Sequence, residues 1–545
     1  MKNKKVYTEE IMKAIPRLLS SQDRDPTSHT YGCFDREYWA WATKDFANID
    51  LQRGVYPLAL LWSKNFKGNP YFNNKKIFEW LVAGINFWCK VQHKDGSFDH
   101  LYINEHSFAG TAFTLYEIGE TYMIIEKKLD DKTKERFMKS IKKAADFLVK
   151  FDETHGFISN HRACAACALK ISYNILKDEK YQKEAIFYIN TIKKMQSDDG
   201  WFLEYGGADP GYQTLDTFYL SCYHKMTGDS VVLDMLRKSL EFITYFIHPN
   251  GTIGGEYGSR NTELYYPSGF EYLSDKIPEA AAVSERFRES IGKHSMHLSE
   301  TDIRNFIPFL TSYTLAFFEK SKPMKGKKLP YETEFEKYFP DGQLFIMSTK
   351  SYYAILGISK GGVLKVYDKK TKKLIHSECG YFGKTKSGLA ISSQMLDFIN
   401  NVTVEKGSVR FTTSFFRVPF RVMTPLRFFL FRIFNLTSGR FYSLNNLVRK
   451  DLIVKRLIMP KNKVKLELER NFTFSNNFIT IDDIFTNKGI KLKEIRKVEK
   501  FATVFMASAK YYQKQDLTKS AIQEKNLAGE IIRNKRASFN YKITV

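Results

Sequence analysis

Apolar positions in the first three-fifths of the chain recur at three- and four-residue steps. Examples are Ile77-Phe78-Leu81-Ile85-Phe87-Trp88 and Ala144-Ala145-Phe147-Leu148, the period of amphipathic helices. This texture runs from about Thr8 to Ser321 and is punctuated by a recurring turn phrase. The phrase reads Gln92-His93-Lys94-Asp95-Gly96-Ser97-Phe98, then His155-Gly156-Phe157, then Gln196-Ser197-Asp198-Asp199-Gly200-Trp201-Phe202, then Asn250-Gly251-Thr252-Ile253. Its glycines stand 60, 44 and 51 residues apart, each between two helical segments. Such recurrence predicts stacked helical hairpins, each too small to bury its apolar face alone. Glycine supplies the positive φ of the tip, and the following aromatic fills the space between helices. If the hairpins close into a ring, an (α/α)n toroid, the tips surround one central depression.

The pattern changes after Lys322-Pro323-Met324-Lys325-Gly326-Lys327-Lys328-Leu329-Pro330, whose prolines, glycine and lysines mark a linker over 322–330. Beyond it come short β-rich or alternating runs bounded by Gly, Asp and Asn, among them Leu344-Phe345-Ile346-Met347-Ser348, Val464-Lys465-Leu466-Glu467-Leu468 and Phe478-Ile479-Thr480-Ile481. The expected organisation is a toroid over 1–321 and an antiparallel β-sandwich over 331–545. One segment near 415–458 fits neither texture. It sets Phe428-Phe429-Leu430-Phe431 among Arg417, Arg421, Arg427, Arg432, Arg440, Arg449 and Arg456. Interleaved aromatics and arginines suit a membrane interface, but the arginines do not gather on one helical face. An inserted hairpin covering the sandwich is the expectation.

At 545 residues the chain exceeds one ordinary core, and its 43% hydrophobic content supplies two. The start, Met1 to Gln22, has no apolar core of a secretory signal. No run reaches the ~18 apolar residues of a spanning helix. A cytoplasmic protein with possible peripheral membrane contact is therefore expected. The net charge of +24 favours polyanionic partners. Nucleic acid, anionic lipid and an acidic polysaccharide or oligosaccharide are all candidates, and charge alone does not choose among them, though no nucleic-acid-binding module is recognised. Of six cysteines, Cys164 and Cys167 form a CxxC amid alanines, which reads as close helix packing rather than a zinc site. No metal or cofactor is expected, and the P-loop, GxGxxG and HExxH patterns are absent.

Polar residues crowd the tips beyond what a turn requires. Asp99, His100, Asn104, Glu105 and His106 follow the first, and Ser159-Asn160-His161-Arg162 the second. Glu204-Tyr205-Gly206-Gly207-Ala208-Asp209-Pro210-Gly211-Tyr212-Gln213 follows the third, and Glu256 through Tyr266 the fourth. Convergence would gather His100, His106, Trp201, Glu204, Arg260 and Glu263 around one bowl as candidate substrate-binding residues.

The Asn160-His161 pair opening a small-residue helix, followed by the Asp-Gly-aromatic turn at 199–201 and by Tyr212, resembles the toroid half of heparinase II/III-like and alginate lyase-like polysaccharide lyases. The chain carries Gln213 where that family usually shows a histidine. The resemblance implies an (α/α) toroid with C-terminal antiparallel sheets and β-elimination on a uronate-containing glycan. It implies Asn160 as neutraliser of the uronate carboxylate, and His161 with Tyr212 as the proton-transfer pair. Donors aimed at the developing charge lower the barrier most where water is excluded, and Arg260 could stabilise a Tyr212 phenolate. Each residue also has a plainer reading. Asn160 could be a helix N-cap, Tyr212 a packed aromatic, and Arg260 the ion-pair partner of Glu256 or Glu263.

Two other functions stay open. One is a non-catalytic glycan-binding or assembly protein for surface polysaccharide. The other is a toroidal glycoside hydrolase acting on unsaturated uronyl oligosaccharides with Asp95, Asp99, Asp199 or Asp209 as acid and base. A terpene cyclase would need an Asp-rich motif that the chain lacks.

Overall fold

The computed structural model describes residues 4–293, 296–418, 424–448, 462–500, 517 and 525–545. Arg421, Arg449 and Arg456 of the Phe/Arg-rich segment lie outside them. Twelve helices alternate between an outer and an inner ring. The outer ring is α1 (Lys5–Ser21), α3 (Lys75–Lys90), α5 (Asp131–Lys150), α7 (Glu179–Met195), α9 (Ser230–Thr244) and α11 (Pro278–Gly292). The inner ring is α2 (Val55–Ser63), α4 (Phe108–Ile125), α6 (Ser159–Leu176), α8 (Pro210–Thr227), α10 (Pro267–Leu273) and α12 (Ile303–Phe318). Each inner helix touches the next, and α12 returns to α2, so six hairpins close a toroid.

The two rings differ as their surroundings demand. Outer α5 is capped by Asp130, which accepts from Thr133 N, and buries Phe137, Ile141, Ala144, Ala145 and Leu148 on one stripe. Inner α4 is buried nearly all round, because it faces both the outer ring and the bore. Arg53 closes that bore. It donates to Glu117 at 2.7 and 2.9 Å, to Asp50 at 3.1 Å and to Tyr219 Oη at 3.0 Å.

The turn phrase has a specific packing purpose. Gly96 (φ +94°), Gly200 (φ +102°) and Gly32 (φ +94°) press on the backbone of the next outer helix, so a Cβ would overlap the carbonyls of Lys143, Lys238 and Ala83. Gly251 presses likewise on Ser290 of α11. The glutamines that begin two of the phrases lock the same joints. Gln92 Nε2 donates to Gly96 O and to Ser140 O of α5 (3.1 and 2.9 Å). Gln196 Nε2 donates to Gly200 O and to Met235 O of α9 (2.9 and 3.0 Å). Gly156 is the exception, with no atom within 4 Å of an added Cβ.

After α12 the chain runs along the toroid, where Leu329 and Tyr331 join its core, and enters two antiparallel sheets. The first is β1 (Phe335–Phe339), β2 (Leu344–Ser348), β3 (Tyr352–Gly357), β4 (Val363–Asp368) and β5 (Leu374–Glu378), in that order. The second contains β6 (Tyr381–Thr385), β7 (Ala390–Ser392), β8 (Val402–Glu405), β9 (Ser408–Arg417), β10 (Lys463–Phe474), β11 (Phe478–Asn487), β12 (Leu492–Lys497) and β13 (Arg536–Thr544). Its order is β12-β6-β7-β9-β10-β11-β13, with β8 on β9. The central strands β2 to β4 of the first sheet are buried on both faces. Tyr353 and Ile355 point into the toroid core, while Tyr352, Ala354 and Leu356 meet Phe411 and Phe472 of the second sheet. Between the sheets lies Arg470, fully buried. It bonds Asp483 at 2.7 Å, the carbonyls of Gly361 and Gly362, and Glu378, which Lys497 also meets at 3.1 Å.

The Phe/Arg-rich segment is the β9–β10 connection. It forms α13 (Pro425–Leu436) and α14 (Tyr442–Val448). These two described helices cross to the toroid rim instead of lying over the sandwich as expected, and residues 449–461 of the connection lie outside the described residues. Tyr102 packs edge-on against Phe431, and Tyr442 sits 4.1 Å from the Phe151 ring. Asn104 donates to Asn435 O at 2.8 Å, Asn445 donates back to Asn104 O at 2.5 Å, and Arg432 pairs with Asp45. Asn104, held at φ +57°, offers the partners that draw the segment there.

Two stability outcomes follow from these contacts. Gly68 (φ +89°) has open space where Gly96 meets backbone. Gly68→Ala should cost about 1 kcal/mol of conformational strain, and Gly96→Ala roughly 3 kcal/mol or more once overpacking is added. Denaturant unfolding distinguishes them, and equal losses would remove the packing role. Arg470→Leu strands two buried carboxylates and should lower stability by about 3–5 kcal/mol by the same measurement.

Candidate functional site

The inner helices begin at one end of the ring, and their first turns carry the polar tip residues. Helix α6 is preceded by Ile158, which provides no side-chain cap, so Asn160 lies within the first turn and is not the N-cap. Asn160 is fully buried. Its Nδ2 donates to Glu204 Oε2 and its backbone N–H to Glu204 Oε1, both at 2.9 Å, and its Oδ1 has no partner among the described residues. Tips two and three are thereby clamped, and an Ile158–Glu204 bridge adds to the clamp.

His161 next to it is only partly buried. Its Nδ1 lies 2.6 Å from Glu153 Oε2, while Glu153 Oε1 takes His155 Nδ1 at 2.7 Å. Burial alone would raise the Glu153 carboxyl, but the two imidazoles hold it well below the usual range. A carboxylate on Nδ1 keeps the proton there and leaves Nε2 as the basic atom of the neutral ring. Among the described residues Nε2 has no hydrogen-bond partner.

Asp209 joins tips three and four. One oxygen caps α8 by accepting from Tyr212 N at 3.0 Å, and the other accepts from Arg260 N at 2.7 Å. The Arg260 guanidinium lies 4.0 Å over the Tyr205 ring and is 2% exposed. Its Nε and Nη2, and both amide atoms of Asn261, find no partner among the described residues. Tyr205 (φ +53°) and Asn261 (φ +60°) both occupy the left-handed region, where a non-glycine residue is strained. Burial pushes the Tyr205 hydroxyl well above its ordinary range; Arg260 opposes this, while Tyr212, Glu153 and Glu204 add to it. Tyr205 therefore sits in the field of Arg260, Tyr212 and Glu204 from tips three and four and of Glu153 from tip two. Burial also raises Glu204 to about 8, against the pull of the Asn160 donors, and raises the neighbouring Asp216.

The other candidates lie along the first, third and fourth tips. His106 bonds Asp95 and Ser97, both at 2.8 Å, and its own pairing holds Asp95 down to about 2 against the effect of burial. His100 is half-buried, and burial lowers it, with His161 among the nearby charges that do the same. Trp201 belongs to the toroid core. Glu263 meets Lys365 of β4 at 3.1 Å, and the same ammonium reaches Glu256 at 2.6 Å. The candidate acids of a hydrolase are spent on loop geometry. Asp99 accepts from Asn104 N and Glu105 N, Asp199 from Asp341 N and Gly342 N, and Asp209 caps α8. Tyr205, Glu153, Asp216 and Lys365 escaped the sequence reading. Only Tyr205 had a local signal, the Gly206-Gly207 pair of a tight turn. At the far end of the bore a separate cavity of about 590 Å³ is lined by Tyr56, Tyr116, Cys222 and Tyr272. Burial there raises Glu120 to about 7.

Residues 49–269 match the family model of the ulvan lyase N-terminal domain. The structure is similar to Streptomyces coelicolor A3 chondroitin AC lyase in complex with chondroitin sulphate, with TM-score 0.53 and 9% identity over 91% of this chain and 68% of that one. It is similar to Paenibacillus xanthan lyase, with TM-score 0.51 and 11% identity over 91% of this chain and 46% of that one. The chain thus spans about half the length of the xanthan lyase. No curated protein sequence matches. The fold is that of the toroid polysaccharide lyases with a C-terminal β domain, as the resemblance at Asn160-His161 and 199–213 implied.

The buried acids make a pH dependence. Glu204 and Asp216 hold protons more tightly folded than unfolded, so their stabilisation is complete below the ordinary carboxyl range and is lost as pH rises toward about 8. Glu204→Gln should flatten the decline of melting temperature between mildly acidic and mildly alkaline pH. A decline as steep as in the parent would mean that Glu204 is ionised when folded.

Proposed function

We propose that the protein is a lyase that cleaves an acidic, uronate-containing polysaccharide or oligosaccharide by β-elimination. The observation that carries this reading is Arg260, a buried cation of which two donors, like both amide atoms of Asn261, find no hydrogen-bond partner among the described residues. A desolvated charge without partners is costly, and a planar carboxylate is the group that a guanidinium fork satisfies best. The imidazole of His161, oriented through Nδ1 by Glu153, supplies a base at Nε2.

In this reading the uronate carboxylate lies against Arg260 and Asn261. Transfer of the adjacent ring proton to His161 leaves an electron pair that forms the new C=C bond as the bond to the leaving oxygen breaks. Tyr212 returns a proton to that oxygen. Tyr205, under Arg260, is a second phenol, and its raised hydroxyl suits it to returning the proton rather than taking one. Asn160 supports the site by holding Glu204 and does not itself touch the sugar. The fold shared with chondroitin AC lyase and the match to the ulvan lyase domain agree with this substrate class.

A second reading, a glycan-binding or assembly protein without cleavage, is favoured by the burial of Asn160, Asn261 and Arg260 alike, which a sugar in contact with them would have to expose. Incubation with a panel of uronate glycans separates the possibilities. Elimination gives the ultraviolet absorbance of an unsaturated uronate, and His161→Ala or Tyr212→Phe should slow it by roughly 10²–10⁴-fold. Reducing ends without absorbance would indicate hydrolysis. Binding without products, weakened in Arg260→Gln, would indicate the second reading.

A further inference from the structure

The arm that crosses to the toroid rim has its apolar side turned outward. Leu426, Phe429, Leu430, Ile433 and Leu436 of α13 fall at steps of three, four, seven and ten, one helical stripe. Leu426 is 67% exposed, Phe429 59% and Leu430 57%. Phe428, Phe441 and Leu444 are exposed as well. The opposite side of the helix is what holds it, through Phe431 on Tyr102, Asn435 with Asn104, and Arg432 with Asp45. The rim beside those anchors continues the surface. Trp41, four residues before Asp45, is 70% exposed, and Leu101, next to Tyr102, is also exposed. Exposed apolar surface on this scale marks a contact site.

The charge pattern states what the contact is. Between Lys406 and Lys450 the sequence has nine basic residues and no acidic one. Arg427 and Arg440 are exposed beside the stripe. Phe and Leu on one face, Arg at its edges and a nearby Trp match a helix that lies in the plane of a lipid interface. No helix among the described residues is long and apolar enough to cross a membrane.

We propose that α13, with Trp41 and Leu101, docks this protein on an anionic lipid surface. The arginines meet the headgroups, and Phe429, Leu430 and Ile433 enter the headgroup–acyl boundary. Docking here is independent of the glycan chemistry, since no residue of the stripe contributes to the Arg260–His161 site.

The test is co-sedimentation of the full chain with vesicles of phosphatidylcholine alone and of phosphatidylcholine with phosphatidylglycerol. The protein should partition onto the anionic vesicles, and added salt should weaken the binding. The double variant Phe429→Ser/Leu430→Ser should lose at least ~10-fold in partitioning, with an unchanged melting temperature, because neither side chain is buried. Absence of binding to anionic vesicles, or binding unaltered by the double variant, would overturn the proposal. So would a parent dimer that the double variant converts to monomer, which would make the stripe an interface between copies.

Discussion

The whole arrangement depends on how closely the turn glycines approach the neighbouring outer helix. At Gly32, Gly96 and Gly200 the absence of a side chain lets one hairpin sit directly on the backbone of the next. Repeated around the ring, this contact fixes how far each tip projects and where each inner helix begins. The second tip escapes it, since Gly156 faces open space. That tip is held by charge instead. Glu153 binds two imidazoles, and Arg162 pairs with Asp152 and covers the Phe157 ring at 4.4 Å. The hairpin freed from backbone packing is thus the one that presents the oriented imidazole.

The site draws on both halves of the chain. The β domain sends Lys365 between Glu256 and Glu263, and those acids keep its ammonium charged despite burial. It also contributes Lys360, which burial lowers to about 8 near Asp209 and Arg260. Buried acids and bases in this number make a region of fixed, weakly screened charge, where a second charged group is felt strongly.

How much of this was legible in the sequence differs by element. The helical period and the Asp-Gly turns pointed to stacked hairpins, because both are local signals. The sheets were legible from β-rich runs, yet not that one sheet is covered on both sides. The runs at 344–348 and 352–356 are apolar on alternate and intervening positions alike, which is the mark of double burial. At the site, Asn160 and Glu204 were picked out separately, while the bond between them joins residues 44 apart. Glu153 had no motif, and Lys365 lies a hundred residues beyond the acids it serves. Such partnerships are tertiary and leave no spacing to read. The Phe/Arg arm was legible as an oddity, but its landing place depended on Asn104 and Asp45, far away in sequence.

A sheet with neighbours on both faces has no free surface on which to grow. Lengthening the hairpins of β2 to β4 would drive new residues into either the toroid or the outer strands. The outer sheet is covered in part by the helix Ala528–Asn534, and the long connection between β9 and β10 emerges from it. The architecture thus channels inserted sequence to one layer, and an arm that leaves this layer can reach across to the rim without disturbing the groups beneath.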